Sequence, residues 1–169
     1  MDSNRCVILG QQGEQLLTLP VERINGSKTC TQDVLISDHQ DWRNNHWRSI
    51  QSAYAASPYF EHYASDIHAL IFLKEPNLVA YNIRITQKIA ELFDCSIEFI
   101  QTTDYKQVAE NELDLRNYAF ESENPLNFVS IPYTQVLFDK ITFRPNPCIL
   151  DLLFCDGPIG RKKIVQKKN

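Results

Sequence analysis

The sequence predicts an α+β fold in a single domain, with an N-terminal β-hairpin, short additional strands and three to four helices. Three observations predict it. Two β-rich runs, NRCVIL and QLLTLPV, flank Gly10-Gln-Gln-Gly13, which supplies hairpin turn chemistry. Runs beginning at residues 42, 58 and 78 carry apolar residues at helical spacing. At 169 residues, 43% hydrophobic and 22% charged, the chain can bury one real core and is too apolar for wholesale disorder.

Taken in order, the first strand covers residues 4–9 and the second 15–21, with Pro20 at an edge or end. Residues 22–33 read as a loop containing Gly26 and Ser27, and residues 34–37 as a short strand. A first helix follows, with Ser37 or Asp38 as its expected cap and Trp42, Trp47, Ile50, Ala53 and Tyr54 on its apolar face. Ser57-Pro58 breaks the run. Serine caps the next helix, proline fits its first turn, and Glu61 favours its positive end. That second helix is expected over residues 58–73, ended by Pro76. Asn77 caps a third, over 78–93, with Leu78, Tyr81, Ile85, Ile89 and Leu92 as its stripe. Residues 96–100 alternate as a strand would, whereas residues 101–127 are acidic and patternless apart from the Asp114–Arg116 group. Residues 128–138 read as part strand, with a helical turn from Tyr133. Asn146 and Pro147 open a last short helix, CILDLLF, that Asp156-Gly157-Pro158 stops. The expected domain is residues 1–160, followed by a basic tail over 161–169.

Charge narrows the function classes. The last nine residues carry five of the 17 positive charges and none of the 21 negative ones, leaving −9 on residues 1–160. A body this acidic argues against nucleic-acid binding, and the tail reads as a solvated end. The five cysteines form no CxxC, so zinc-ribbon and thioredoxin readings fail, and reduced thiols in a cytoplasmic protein are the simplest account. No apolar run approaches 18 residues, so no membrane span is expected. His39-x6-His46 and His62-x5-His68 match no standard zinc spacing, and no metal site is expected. GxGxxG and Walker loops are absent; no cofactor is specified.

Two residues stand out as catalytic candidates. His46 lies beside the buried face of the first helix and titrates near neutrality. It is either a general base or a structural histidine bonded to a backbone carbonyl. Asp151 sits among Ile149, Leu150, Leu152, Leu153 and Phe154, so its carboxylate must reach solvent, find donors, or carry a raised pKa. A His46–Asp151 pair would make a general-base arrangement. The expected binding residues are Asn4, Arg5, Trp47, Tyr54, Tyr59, Asn82, Tyr133 and Gln135. Arg5 suits a phosphate or carboxylate, the tyrosines a sugar ring or the core, and Tyr133 and Gln135 polar contacts from the opposite side.

Four collinear segments carry a resemblance: NRCVILGQQGEQLLTLPV, HWRSIQSAYAASPYFEHY, the helix around Asn82, and FDKITFRPNPCILDLLFCDGP. The chain resembles the WbqC-like protein family, whose members often lie among genes for bacterial surface polysaccharide synthesis. Serine and asparagine are usual in the family where Cys148 and Cys155 stand here. The resemblance implies a protein of surface-glycan assembly, with a small-molecule or glycan-precursor ligand. It is either a group transferase acting on a sugar nucleotide or lipid-linked sugar with His46 as base, or a non-catalytic binding or scaffolding protein of the same pathway.

Overall fold

The computed structural model describes residues 3–10, 12–102, 104, 107, 131–136, 142–145 and 147–164. The two N-terminal runs form a hairpin, β1 (Arg5–Gly10) and β2 (Gly13–Thr18), in which Gly10 pairs with Gly13 and Arg5 with Thr18. Leu19 N–H donates to the Asn4 carbonyl at 2.8 Å, which fixes the alternation of bonded and unbonded pairs along the ladder. By that alternation Val7 and Leu9 turn their backbone groups away from β2. Those groups are bonded from elsewhere in the chain: the Cys148 N–H donates to the Val7 carbonyl at 2.8 Å, and the Leu9 N–H donates to the Tyr54 hydroxyl at 3.2 Å. The outer edge of β1 is thus covered rather than left open.

Two short strands, β3 (Val21–Glu22) and β4 (Leu35–Ile36), pair antiparallel. Between them lie single 3-10 turns at Gly26–Lys28 and Thr31–Asp33, so the expected loop is partly ordered by local bonding. Three helices follow: α1 (Trp42–Tyr54), α2 (Phe60–Ile71) and α3 (Leu78–Leu92). Asn77 caps α3 as expected, its side chain accepting from the Ala80 N–H at 3.0 Å. Asp94, with φ of 54°, ends that run. Near the C-terminus come α4 (Ile149–Asp156) and the single-turn α5 (Arg161–Ile164), so the basic tail begins in a helical turn.

The core lies where α4 meets α1, α2 and β1. Six of the eight α4 residues are buried. Phe154 packs between Tyr54 and Phe60, with ring centroids 5.3 and 5.1 Å away. Each such fully buried side chain stabilises the fold by roughly 1.5–3 kcal/mol. A helix this short holds together through that burial rather than through its own propensity.

The structure corrects several local expectations. The cap position of α1 is Asp41, because the Asp38 carboxylate is engaged by Arg43 and by Trp42 Nε1. Ser57 does not cap α2; its hydroxyl donates to the Tyr54 carbonyl at 2.6 Å and closes α1 instead, and α2 starts at Phe60. Pro147 does not open α4, since Cys148 occupies the cap position and its N–H is committed to β1. Residues 96–100 form no strand, and Ile97 and Ile100 are exposed: alternation alone makes no strand without a paired edge. Residues 131–135 form neither strand nor helix and are held by side-chain bonds described below, and residues 128–130 and 137–138 lie outside the described residues. Asn146 and the Asp114–Arg116 group lie outside the described residues.

Candidate functional site

The polar candidates settle into separate places. The first is a buried centre in the first turn of α4. Asp151 is 1% exposed, and its Oδ2 accepts from the Tyr133 hydroxyl at 2.6 Å and from Gln135 Nε2 at 3.0 Å. Gln135 also grips Arg144 at both backbone groups: Nε2 donates to its carbonyl at 3.0 Å and Oε1 accepts its N–H at 2.9 Å. One amide therefore ties residues 135 and 144 together and to α4. Asp151 Oδ1 is buried without a hydrogen-bond partner among the described residues, and the Tyr54 hydroxyl favours the charged form of the carboxyl. Burial pushes the Asp151 carboxyl above its ordinary range, opposed by the bonds from Tyr133 and Gln135 and by the Tyr54 hydroxyl. Tyr54 and Tyr133 are in turn held protonated by burial and by the neighbouring carboxylate. Four of the ten candidate residues, Tyr54, Tyr133, Gln135 and Asp151, converge here.

The second place is the half-exposed side of α1 against β2. His46 Nε2–H donates to the Thr18 carbonyl at 3.2 Å, which leaves Nδ1 as the acceptor nitrogen. Burial lowers the imidazole pKa and the Thr18 carbonyl partly offsets this. The ring meets Trp42 edge-on, with centroids 5.3 Å apart. Nearby, Gln15 Nε2 donates to the Ser49 hydroxyl at 3.0 Å, again joining the hairpin to α1. The structure does not pair His46 with Asp151: the histidine is committed to a backbone carbonyl of the hairpin, and the carboxylate to side chains at the far end of α1 and in 131–136.

The remaining candidates are distributed. Asn4 Nδ2 donates to the Leu19 carbonyl at 2.9 Å and Asn82 Nδ2 to the Ser3 carbonyl at 2.8 Å, so both amides fasten the start of β1. Arg5 is exposed on that strand. Trp47 stacks on Phe60 at 6.1 Å and meets His68 edge-on at 5.0 Å, which makes it a half-buried core residue. Tyr59 donates its N–H to the Phe154 carbonyl at 3.0 Å, and its ring covers Gly157, where an added Cβ would come within 2.7 Å.

Sequence reasoning missed two features. One is the contact between Cys6 and Cys148, which depends on long-range registry of β1 with α4. The other is an open recess of about 300 Å³ ahead of α1, lined by Asp38, His39, Gln40, Asp41, Arg43 and Phe72. Arg43 pairs with Asp38 there and holds that exposed carboxyl below its usual range, while its guanidinium lies 4.2 Å over the Trp42 ring. A basic residue one place after the first tryptophan was the available signal.

The model of the WbqC-like protein family matches residues 3–121. That span covers more than half of the chain. The chain belongs to the WbqC-like protein family. Comparison with curated proteins returns no match, and neither does comparison with solved structures. The WbqC-like match takes in the hairpin, α1, α2 and α3, and with them Asn4, Arg5, His46, Trp47, Tyr54, Tyr59 and Asn82. Tyr133, Gln135 and Asp151 lie beyond it, so the buried centre joins one residue of the matched region, Tyr54, to a C-terminal segment outside it. Among the described residues no helix is long and apolar enough to cross a membrane.

Proposed function

We propose that this WbqC-like chain serves bacterial surface-polysaccharide biosynthesis as a binding component, holding a glycan precursor on the polar side of α1 and the hairpin. One observation carries this reading. The polar side chains expected to converge on a reaction centre are spread over three internal ties: Asn4 and Asn82 at the start of β1, His46 at Thr18, and Asp151 at Tyr133 and Gln135. A general base needs its orienting partner and its substrate within hydrogen-bond reach of one place. The side of α1 that faces β2 offers the hydroxyl-binding groups of Gln15, His46 and Ser49 instead.

A second reading, group transfer with His46 as base, has its own support. Burial favours the neutral imidazole, and the Thr18 carbonyl fixes its tautomer so that the Nδ1 lone pair is the basic site. Titration of the full chain with nucleoside-diphosphate sugars, with mass spectrometry of the small molecules in parallel, decides between them. Saturable binding with the sugar donor recovered intact is expected. Donor consumption that His46→Gln abolishes would establish the transferase instead, and neither binding nor consumption across the panel would remove both.

A further inference from the structure

Cys6 and Cys148 stand near opposite ends of the chain, yet the fold sets them together. The 2.8 Å bond from the Cys148 N–H to the Val7 carbonyl lays residue 148 along the outer edge of β1, beside Cys6. The two thiols are close enough to act on one another, the pairing raising the Cys6 pKa and lowering that of Cys148. Both residues are half-buried and pack on the core from its rim. Cys148 also occupies the cap position of α4, where its sulfur faces the N–H groups of Ile149 and Leu150. The other three cysteines are placed differently. Cys95 donates to the Phe93 carbonyl at 3.6 Å, Cys155 is buried within α4, and Cys30 is exposed on a 3-10 turn.

We propose that Cys6 and Cys148 form a redox site, which a hydroperoxide oxidises to a reversible disulfide tying β1 to α4. The inference does not depend on the proposed function. Cys148 is the attacking sulfur: the Cys6 thiol, aided by the α4 N–H groups, holds its pKa below the ordinary thiol value, while that same contact and burial hold the Cys6 proton in place. The Cys148 thiolate attacks one peroxide oxygen. An S–O bond forms, the O–O bond breaks, and the departing oxygen leaves as water after taking a proton. Cys6 sulfur then attacks Cys148 sulfur, the S–S bond forms, and the S–O oxygen leaves as a second water with the Cys6 proton. Two thiols lose two protons and two electrons, and hydrogen peroxide becomes two waters. An external dithiol reverses the change by exchange and is itself oxidised.

The disulfide would close a loop spanning most of the chain, a constraint that acts mainly on the unfolded ensemble. The test uses the full-length reduced protein, treated with hydrogen peroxide, then alkylated and mapped without reduction. The expected result is a Cys6–Cys148 linked peptide, an intact mass lower by two hydrogens, and a thermal midpoint raised by on the order of 10 °C, all reversed by dithiothreitol. In Cys6→Ser the same treatment should leave Cys148 as a sulfenic acid trapped by a dimedone probe, with no rise in midpoint. In Cys148→Ser, Cys6 should remain unlabelled by that probe. Five alkylated thiols after peroxide, a linkage through Cys30, Cys95 or Cys155, or a Cys6–Cys148 linkage that lowers the midpoint would overturn the proposal.

Discussion

Asp151 and His46 respond to the same physical cause in opposite directions. Burial raises the carboxyl pKa of Asp151 and lowers the imidazole pKa of His46, so it drives each toward its neutral form. The two groups differ in their surroundings. Asp151 is almost wholly enclosed and is the acceptor on which Tyr133 and Gln135 depend. His46 is half-exposed and, among the described residues, bonds one carbonyl through Nε2 and none through Nδ1. A perturbed pKa in the enclosed region therefore reports a structural tie, whereas in the half-exposed region it describes a group that a ligand can still reach. Mutations in the first region should act on stability, and mutations in the second on binding.

The largest effect belongs to the enclosed region. Gly157 has a φ of +58°, and a Cβ there would lie 2.7 Å from the Tyr59 ring, which is packed at the α2–α4 junction. Gly157→Ala combines backbone strain with a clash against a bulky ring, and should cost about 3 kcal/mol or more in urea denaturation. A loss below about 1 kcal/mol would mean that the junction is loose, and with it the reading of Asp151 as a rigid tie.

Asp151→Ala comes next, with an expected loss of about 2–3 kcal/mol, because it removes charge-assisted bonds and strands the Tyr133 hydroxyl and the Gln135 amide. Asp151→Asn should cost under about 1 kcal/mol, since its carbonyl can take the place of Oδ2 and its amide can face the Tyr54 hydroxyl. The sign of the pH effect follows from the raised pKa. The folded chain holds the Asp151 proton more tightly than the unfolded chain, so this group weakens the fold as pH rises from 3.8 through the raised value. The Asn variant should lack that decline. Equal costs for Ala and Asn would argue that the hydrogen-bond network is not what Asp151 supplies.

Tyr54→Phe removes one oxygen and leaves the Leu9 N–H without its partner at the β1 edge. The expected loss is about 1–2 kcal/mol, with faster amide exchange at Leu9 as the local signature. Unchanged exchange at Leu9 would show that α1 does not secure that edge.

The same contrast explains what the sequence could reveal. The hairpin, the Asn77 cap and the Gly157 stop are local matters of periodicity, capping and turn chemistry, and they were legible residue by residue. Asp151 was legible too, because a carboxylate inside Ile-Leu-x-Leu-Leu-Phe demands donors. The identity of those donors was only half legible. Tyr133 and Gln135 could be named as polar contacts, but their assembly with Asp151 depends on how α4 docks against β1 and α1. The Ser57 and Asp38 expectations failed for a related reason. Each side chain took another local partner instead, Ser57 the Tyr54 carbonyl three residues back and Asp38 the Arg43 guanidinium five residues on. The cysteine pair was invisible because no local rule links residue 6 to residue 148.

His46→Gln should have the smallest effect on stability and the most direct bearing on the contrast between the two regions. The glutamine amide can still donate to the Thr18 carbonyl, so the loss at neutral pH should stay below about 1 kcal/mol. The pH dependence separates a reachable imidazole from an enclosed one. Because its folded pKa lies below the ordinary 6.5, the folded chain binds the His46 proton less readily than the unfolded chain. Its contribution to stability is therefore complete above 6.5 and declines as pH falls from there through the lowered value. Glutamine does not titrate, so the variant should lose less stability than the wild type between about pH 7.5 and about pH 5. NMR should show the wild-type ring titrating below its ordinary value, with the resonances of Thr18 moving alongside. If wild type and variant decline in parallel and the ring fails to titrate, His46 belongs with Asp151 as an enclosed tie. The side of α1 facing β2 would then lose its claim as the place where a ligand is held.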